Sequence, residues 1–425
     1  MNDTSTIGFA GLSHLGIVYS AAATAKGFSV AAFDPQPELV KDLVTGHLPI
    51  LESGLEELVR QNRALIRYTA DPEALGSCAL IFIALDVRTD DNNNSSLEPL
   101  EALIKEIAAH ASPDATLVIM SQVPPGFCRN VLKNLPANVH LFYQVETLVF
   151  GNALDRAVHP ERYIVGCADP DTSLPDLYRH FLSVFECPVL QMGYESAELC
   201  KIAINCFLVS SVCTANTLAE ICEKIGANWG DIVPALRSDR RIGSHAYLNP
   251  GLGIAGGNLE RDLVTVQKLA AEYGCDTRVV TAWQQNSAYA KDWVLRRLHR
   301  LGLLQEAAGA AFAVWGLAYK PDTNSNKNSA ALSLFRALPK CQWRVHDPVV
   351  RIDTADFPSV RQCASPLEAI DAVKALIVMT PWNEFRQISS KEIRSRLGDA
   401  PVIDPFGLLD GTLPYGGHAY HRMGR

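Results

Sequence analysis

Lys201 and Asn205 place an ammonium and a carboxamide four residues apart inside a stretch, 196–225, that has almost no helix breakers. On an α-helix that spacing puts both side chains on one face, where both can point at one atom. N–H donors converging there would stabilise an alkoxide or oxyanion during hydride transfer. Taken alone, such a pair is more often a solvated helix face. A second chemical signal lies near the start, where Gly11-Leu12-Ser13-His14-Leu15-Gly16 is followed by Asp34 at the end of the next strand-like run. A dinucleotide-binding turn has the form G-x-G-x-x-G, with an acid about 20 residues on for the ribose hydroxyls. Gly11 permits the tight turn and Gly16 lets the helix pack close to its strand. Ser13 replaces the middle glycine; its Cβ crowds the phosphate position, while its hydroxyl could donate to a phosphate. Gly11, Ser13, Leu15, Gly16 and Asp34 are therefore candidate cofactor contacts. Asp34 would repel a 2′-phosphate, which favours NAD over NADP. A nucleotide-free α/β domain is the alternative.

The elements that must position these groups alternate as an α/β sheet protein requires. Strand-like runs occur at 6–10, 29–33, 79–85 and 116–120, and a small-residue helix is expected over 15–26, ending at Gly27. A polar, mobile loop is expected over 90–96. After the long helix, residues 251–257 contain four glycines, a loop whose backbone must come close to something. Strand-like runs resume at 311–316, 343–346 and 375–379, and the chain closes with Val402-Ile403-Asp404 and a glycine-rich tail. The expected fold class is α/β, with two α/β halves around a central helix.

Composition narrows the function classes. The 425 residues are 48% apolar, ample for two or three globular cores, and 38 basic against 46 acidic residues give a net charge of -8. No basic stretch suits a phosphate backbone, so a nucleic-acid partner is not expected. The apolar runs are strand-sized, short of the roughly 20 residues of a membrane helix, so no membrane partner is expected either. Residues 1–4 lack the features of a secretory leader. The 11 cysteines are scattered without a C-x-x-C pair, as in reduced cytoplasmic proteins that use them as small core residues. No metal site is expected.

Several segments, in order along nearly the whole chain, resemble the UDP-glucose/GDP-mannose dehydrogenase family, the nucleotide-sugar 6-dehydrogenases. The run 46–55, Gly46-His47-Leu48-Pro49-Ile50-Leu51-Glu52-Ser53-Gly54-Leu55, is similar to its G-x-x-P-I-x-E-P-G-L. Val123-Pro124-Pro125-Gly126 resembles its S-T-V-P-P-G, with Gln122 in place of threonine. Glu146 falls on the first acid of its P-E-F-L-x-E-G; Leu148 and Gly151 match, and Phe150 replaces the second acid. Ala197-Glu198-Leu199-Cys200-Lys201 with Asn205 is similar to A-E-L-x-K-x-x-x-N, and Asp239-Arg240-Arg241-Ile242-Gly243 resembles D-x-R-I-G. Gly316-Leu317-Ala318-Tyr319-Lys320-Pro321-Asp322-Thr323 looks like G-L-A-F-K-P-x-T. The glycine loop follows P-G-x-G-[FY]-G-G-S-C-[FL]-x-K-D at Gly251, Gly253, Gly256 and Asp262, but Arg261 replaces lysine and Asn258 takes the cysteine position.

The resemblance implies two Rossmann-like doubly wound domains joined by the long central helix. It divides the chain into an NAD-binding domain (1–192), a central helical dimerisation and catalytic-loop domain (193–300) and a nucleotide-sugar-binding domain (301–425). It assigns the substrate oxygen to Lys201 and Asn205, and proton handling to Asp262 and Glu146. It puts Gln122 and Lys327 near NAD. Leu148, Tyr247, Gly253 and Lys320 are placed at the substrate, with Arg241 reaching the nucleotide sugar of a neighbouring copy, which implies at least a homodimer. The family oxidises a primary alcohol twice and holds the intermediate as a thioester. Asn258 cannot form that bond, and Cys200 and Cys206 each lie about 100° around the helix from Lys201 and Asn205. Three readings stay open: one two-electron oxidation, a four-electron oxidation through a hydrated aldehyde, and a non-catalytic nucleotide-binding regulator.

Overall fold

β1 (Ile7–Ala10) and β4 (Leu80–Ile83) are buried at every position, as strands covered by helices on both faces must be. They lie in the middle of an eight-stranded sheet with β2 (Val30–Phe33), β3 (Ile66–Thr69), β5 (Thr116–Ile119), β6 (His140–Gln144), β7 (Tyr163–Cys167) and β8 (Val189–Gly193), ordered β3-β2-β1-β4-β5-β6-β7-β8. Neighbours pair parallel except β6 with β7. The first six follow the doubly wound order, whose reversal between β1 and β4 opens a crevice at the carboxyl ends of the strands. This is a computed structural model, and it describes residues 6–90, 92–305, 311–411 and 419–425. Residues 1–4, examined for a leader, Asp91 of the polar loop and 412–418 of the glycine-rich tail lie outside the described residues.

The chain divides into two compact units, Met1–Ile204 and Asn205–Arg425. In the second, β9 (Ala311–Trp315), β10 (Gln342–His346), β11 (Val360–Gln362), β12 (Leu376–Val378), β13 (Val402–Ile403) and β14 (Tyr420–His421) form a parallel sheet ordered β11-β10-β9-β12-β13-β14. That is the same doubly wound order again. The duplication extends to the first turn of each unit. Asp34, after β2, accepts from the Leu12 N–H at 2.7 Å; Asp347, after β10, accepts from the Leu317 and Ala318 N–H groups at 2.6 and 3.0 Å. Each buried carboxylate thereby holds a turn that begins with a left-handed glycine, Gly11 or Gly316.

The long helix, Tyr194–Ile225, spans 32 residues. Glu198, fully buried, accepts from the Gly126 and Cys128 N–H groups at 2.6 and 2.7 Å, which satisfies the start of helix Phe127–Leu132 and pins the long helix to the Pro124-Pro125-Gly126 turn. One expectation needs correction here. An 18-residue window of this helix has mean hydropathy 1.6, enough by length and composition to cross a membrane, with 39% of it buried. Hydroxyl residues such as Ser210, Ser211 and Thr214 interrupt the apolar runs without lowering the average much, so run length concealed it. The polar loop is also more organised than its composition suggests: Asp90 Oδ1 accepts from the Asn92 and Asn94 N–H groups at 2.9 and 2.8 Å.

Candidate functional site

The first βα turn has the geometry of a dinucleotide seat. Gly11 sits at φ 88°, and a Cβ added to Gly16 would lie 1.8 Å from the Gly11 carbonyl oxygen. Only glycine lets helix His14–Ala25 come this close to the strand. Asp34 opens onto a cleft of about 450 Å³ lined also by Gln36, Leu85, Asp86, Val87 and Leu103, at the carboxyl ends of β2 and β4. These features fit NAD, with Asp34 for the ribose and the helix start for the pyrophosphate.

Two details differ from expectation. The Ser13 hydroxyl donates to the Ala84 carbonyl at 3.2 Å and accepts from the Asp86 N–H at 2.8 Å, so its single proton ties the turn to β4 instead of serving a phosphate. Asp86, which motif reading overlooked, accepts from the Leu15 N–H at 3.2 Å through Oδ2. The available signal was its position, a carboxylate just past a fully buried strand beside the first turn.

Beside this turn, His14 Nε2 donates to Glu52 Oε1 at 2.7 Å, and the Phe150 ring packs on the imidazole with centroids 4.3 Å apart. Glu52 also accepts from the Gly151 and Ala153 N–H groups at 3.0 and 3.1 Å. Burial opposes the ionised carboxyl, but donation from His14, Gly151 and Ala153 outweighs it and holds the group below its ordinary value. A depressed carboxyl contributes stability above the unfolded value near 4.5, and loses it as pH falls below that. Glu52→Gln is expected to lower stability by about 2 kcal/mol at neutral pH. The deficit against wild type should shrink on acidification; urea unfolding of both proteins across that range measures it.

Glu146, two residues past β6, meets Lys201: Nζ donates to Oε2 at 3.2 Å, with side chains 12% and 17% exposed. Glu146 Oε1 accepts from the Leu148 N–H. Leu148, assigned by motif to the substrate, thus orients the acid and packs at the edge of the first core. Four residues beyond Lys201 on the same helix, Asn205 Nδ2 donates to Asp262 Oδ2. A carboxylate only accepts, so the amide must turn its N–H₂ toward it. Asp262 Oδ1 takes a second donation from Arg261 Nε at 3.3 Å, and all three residues are buried. Asp262 therefore meets a guanidinium with one oxygen and orients Asn205 with the other.

The glycine loop comes close to its own unit. A Cβ on Gly253 would lie 2.5 Å from the Ser287 carbonyl oxygen, and one on Gly256 would lie 2.5 Å from the Tyr319 ring. Gly253, expected at the substrate, is thus required by its packing on Ser287, whose hydroxyl accepts from the Ile254 N–H at 2.9 Å. Gly257, at φ 100°, ends the turn, and Asn258 opens helix Asn258–Tyr273 as an exposed residue. The Lys327 carbonyl accepts from the Gly256 N–H at 3.0 Å, and the lysine's aliphatic chain lies against Gly257. Lys320 is half-buried with Nζ 5.9 Å from the Tyr319 ring centroid, and Gln122 is half-buried ahead of the Pro124-Pro125 turn. Arg241 and Tyr247 are exposed, the former paired with Asp239 at 2.7 Å. Cys206 is not an activated replacement: burial, then the charge of Asp262, push its thiol up, away from the thiolate a nucleophile needs.

Comparison with known proteins finds likeness along nearly the whole chain. The UDP-glucose/GDP-mannose dehydrogenase family matches in three consecutive parts: its NAD binding domain at residues 5–182, its central domain at 195–288 and its UDP binding domain at 313–411. The UDP-glucose 6-dehydrogenase of Pseudomonas aeruginosa is 29% identical over 441 residues, covering 98% of this chain and 96% of that protein. One from Bacillus subtilis is 27% identical over 434 residues, covering 98% and 96%. Among solved structures, a UDP-glucose dehydrogenase from Pyrobaculum islandicum superposes with a TM-score of 0.83 at 23% identity, over 100% of this chain and 98% of that one. A UDP-D-ManNAc dehydrogenase from Pyrococcus horikoshii gives 0.84 at 20% identity, over 99% of each chain. These two likenesses concern the fold.

Proposed function

Because the chain belongs to the UDP-glucose/GDP-mannose dehydrogenase family and carries its NAD binding domain, we propose that it takes one hydride from an alcohol carbon of a nucleotide sugar and stops at the carbonyl. NAD, when bound, accepts the hydride. Lys201 and Asn205, one turn apart on the long helix, donate to the substrate oxygen and stabilise the charge that grows there. Glu146, in contact with the Lys201 ammonium, takes the hydroxyl proton directly or through a water. The C–H pair leaves as hydride, the O–H proton goes to Glu146, and C=O remains. Asp262 acts through Asn205 by fixing its amide. Exposed Arg241 is assigned to the nucleotide sugar of a second copy, so the working assembly is at least a dimer, and its compartment is the cytoplasm. Phe207 and Ile225, 77% and 70% exposed on the long helix, support an assembly of copies.

The observation that carries the single-oxidation reading is Asn258. A carboxamide opens the helix after the glycine turn, where the family motif has a thiol, and Cys206 is held as the thiol. Counting NADH formed per nucleotide sugar consumed tests this, and one is expected. Two would mean oxidation through a hydrated aldehyde, with water held at Glu146; none, across UDP- and GDP-sugars, would mean a nucleotide-binding regulator. Asn258→Cys supplies the converse test, since it should yield acid product from a substrate that wild type takes only to the aldehyde.

A further inference from the structure

We propose that Asp86 sets the affinity of the cofactor seat: its carboxylate holds the Leu15 N–H that a pyrophosphate oxygen would accept, so cofactor binding requires Asp86 to release it or be neutralised. The proposal rests on reading the first βα turn as that seat. Leu15 is in the opening turn of helix His14–Ala25, where unpaired N–H groups and the helix dipole make a natural place for an anion. Asp86 Oδ2 already accepts there at 3.2 Å, and its backbone N–H is fixed by Ser13 Oγ at 2.8 Å, which keeps the residue against the turn. Asp86 also lines the same cleft as Asp34, so a ligand reaching from the ribose position to the helix start passes over it.

The charges around Asp86 explain why the competition depends on pH. Although Asp86 reaches the open cleft, the protein crowding its carboxyl pushes that group above its ordinary value. The Leu15 N–H donates to it, and the nearby Ser13 hydroxyl and His14 also favour the anion, while the charge of Glu146 works against the anion. A pyrophosphate brought to the same N–H groups adds negative charge and raises the carboxyl further. Binding is therefore coupled to proton uptake, and affinity rises as pH falls through the carboxyl's already raised value.

Titration calorimetry with NADH, in buffers of different ionisation enthalpy from about pH 5 to about pH 8, tests this in wild type, Asp86→Asn and Asp86→Ser. The variants are expected to bind about tenfold more tightly at the alkaline end, to converge on wild type at the acidic end, and to lose most of the proton uptake. Thermal unfolding of each variant shows that the comparison is between folded proteins, and two substitutions guard against one misfolding. Equal affinity and equal proton uptake in wild type and both variants would overturn the proposal while leaving the seat in place. Loss of the uptake in His14→Gln instead of Asp86→Asn would overturn it as well. Failure of wild type and variants alike to bind NADH at any pH would remove the seat reading, and this proposal with it.

Discussion

Replacing Lys201 with alanine is expected to lower kcat by roughly a hundred- to a thousandfold, the usual cost of removing one donor from a developing oxyanion. The loss should fall on kcat more than on KM, because the substrate oxygen carries the negative charge that the ammonium stabilises only once its proton is leaving and before the hydride has gone. NADH binding should be unchanged, since the first βα turn and Asp34 do not use this side chain. Stability should change little. Glu146, left without its ammonium, keeps the Leu148 N–H and is partly open to solvent, so no buried charge is stranded. Steady-state NADH formation, NADH titration and a melting curve on the same preparation separate these effects. A kcat within a few fold of wild type would show that the helix pair does not hold the reacting oxygen.

Gly16→Ala is the second large effect, and it lands on stability and cofactor binding together. The new Cβ would be placed 1.8 Å from the Gly11 carbonyl oxygen and 3.1 Å from that of Ala84, and both obstacles are backbone. No rotamer relieves the clash, so helix His14–Ala25 has to move off the sheet. A loss of about 3 kcal/mol follows, at the upper end of overpacking costs. The displaced helix also carries the N–H groups assigned to the pyrophosphate, so NADH affinity should collapse in whatever protein stays folded. Gly27→Ala provides the control. It sits at φ 89° with nothing within 4 Å of an added Cβ, so it pays only the left-handed backbone cost of about 1 kcal/mol. Chemical unfolding and NADH titration of both variants compare the two costs; equal destabilisation would remove the close-approach argument for Gly16.

How much could be seen without coordinates depended on burial. β1, β2, β4, β5, β9 and β12 match the expected runs to within one or two residues at each end, because strands covered on both faces are written as largely unbroken apolar segments, while β10 matches through the alternation of Trp343 and Val345 with polar neighbours. β3 and β8 escaped that reading. Arg67 points outward from β3, and β8 is an edge strand with Val189 and Leu190 exposed, so neither has a periodic apolar signature. The long helix was legible, but its mean hydropathy was hidden by uncharged polar residues that break runs without adding charge.

The site divides along the same line. Residue identity alone determined the inventory: a carboxamide at 258, an acid at 34, glycines at 11 and 16, and a lysine and asparagine four apart. It also determined what is chemically impossible, since no fold lets Asn258 form a thioester. Only the tertiary structure decided who meets whom. Lys201 meets Glu146 across 55 residues and Asn205 meets Asp262 across 57, while the Ser13 hydroxyl is taken by Ala84 and the Leu15 N–H by Asp86, each 71 residues away. Helical spacing and strand alternation are short-range regularities set by backbone geometry, so they survive in a linear string. A hydrogen bond across tens of residues exists only once sheets and helices have closed around it, and no local pattern of side chains encodes that partner.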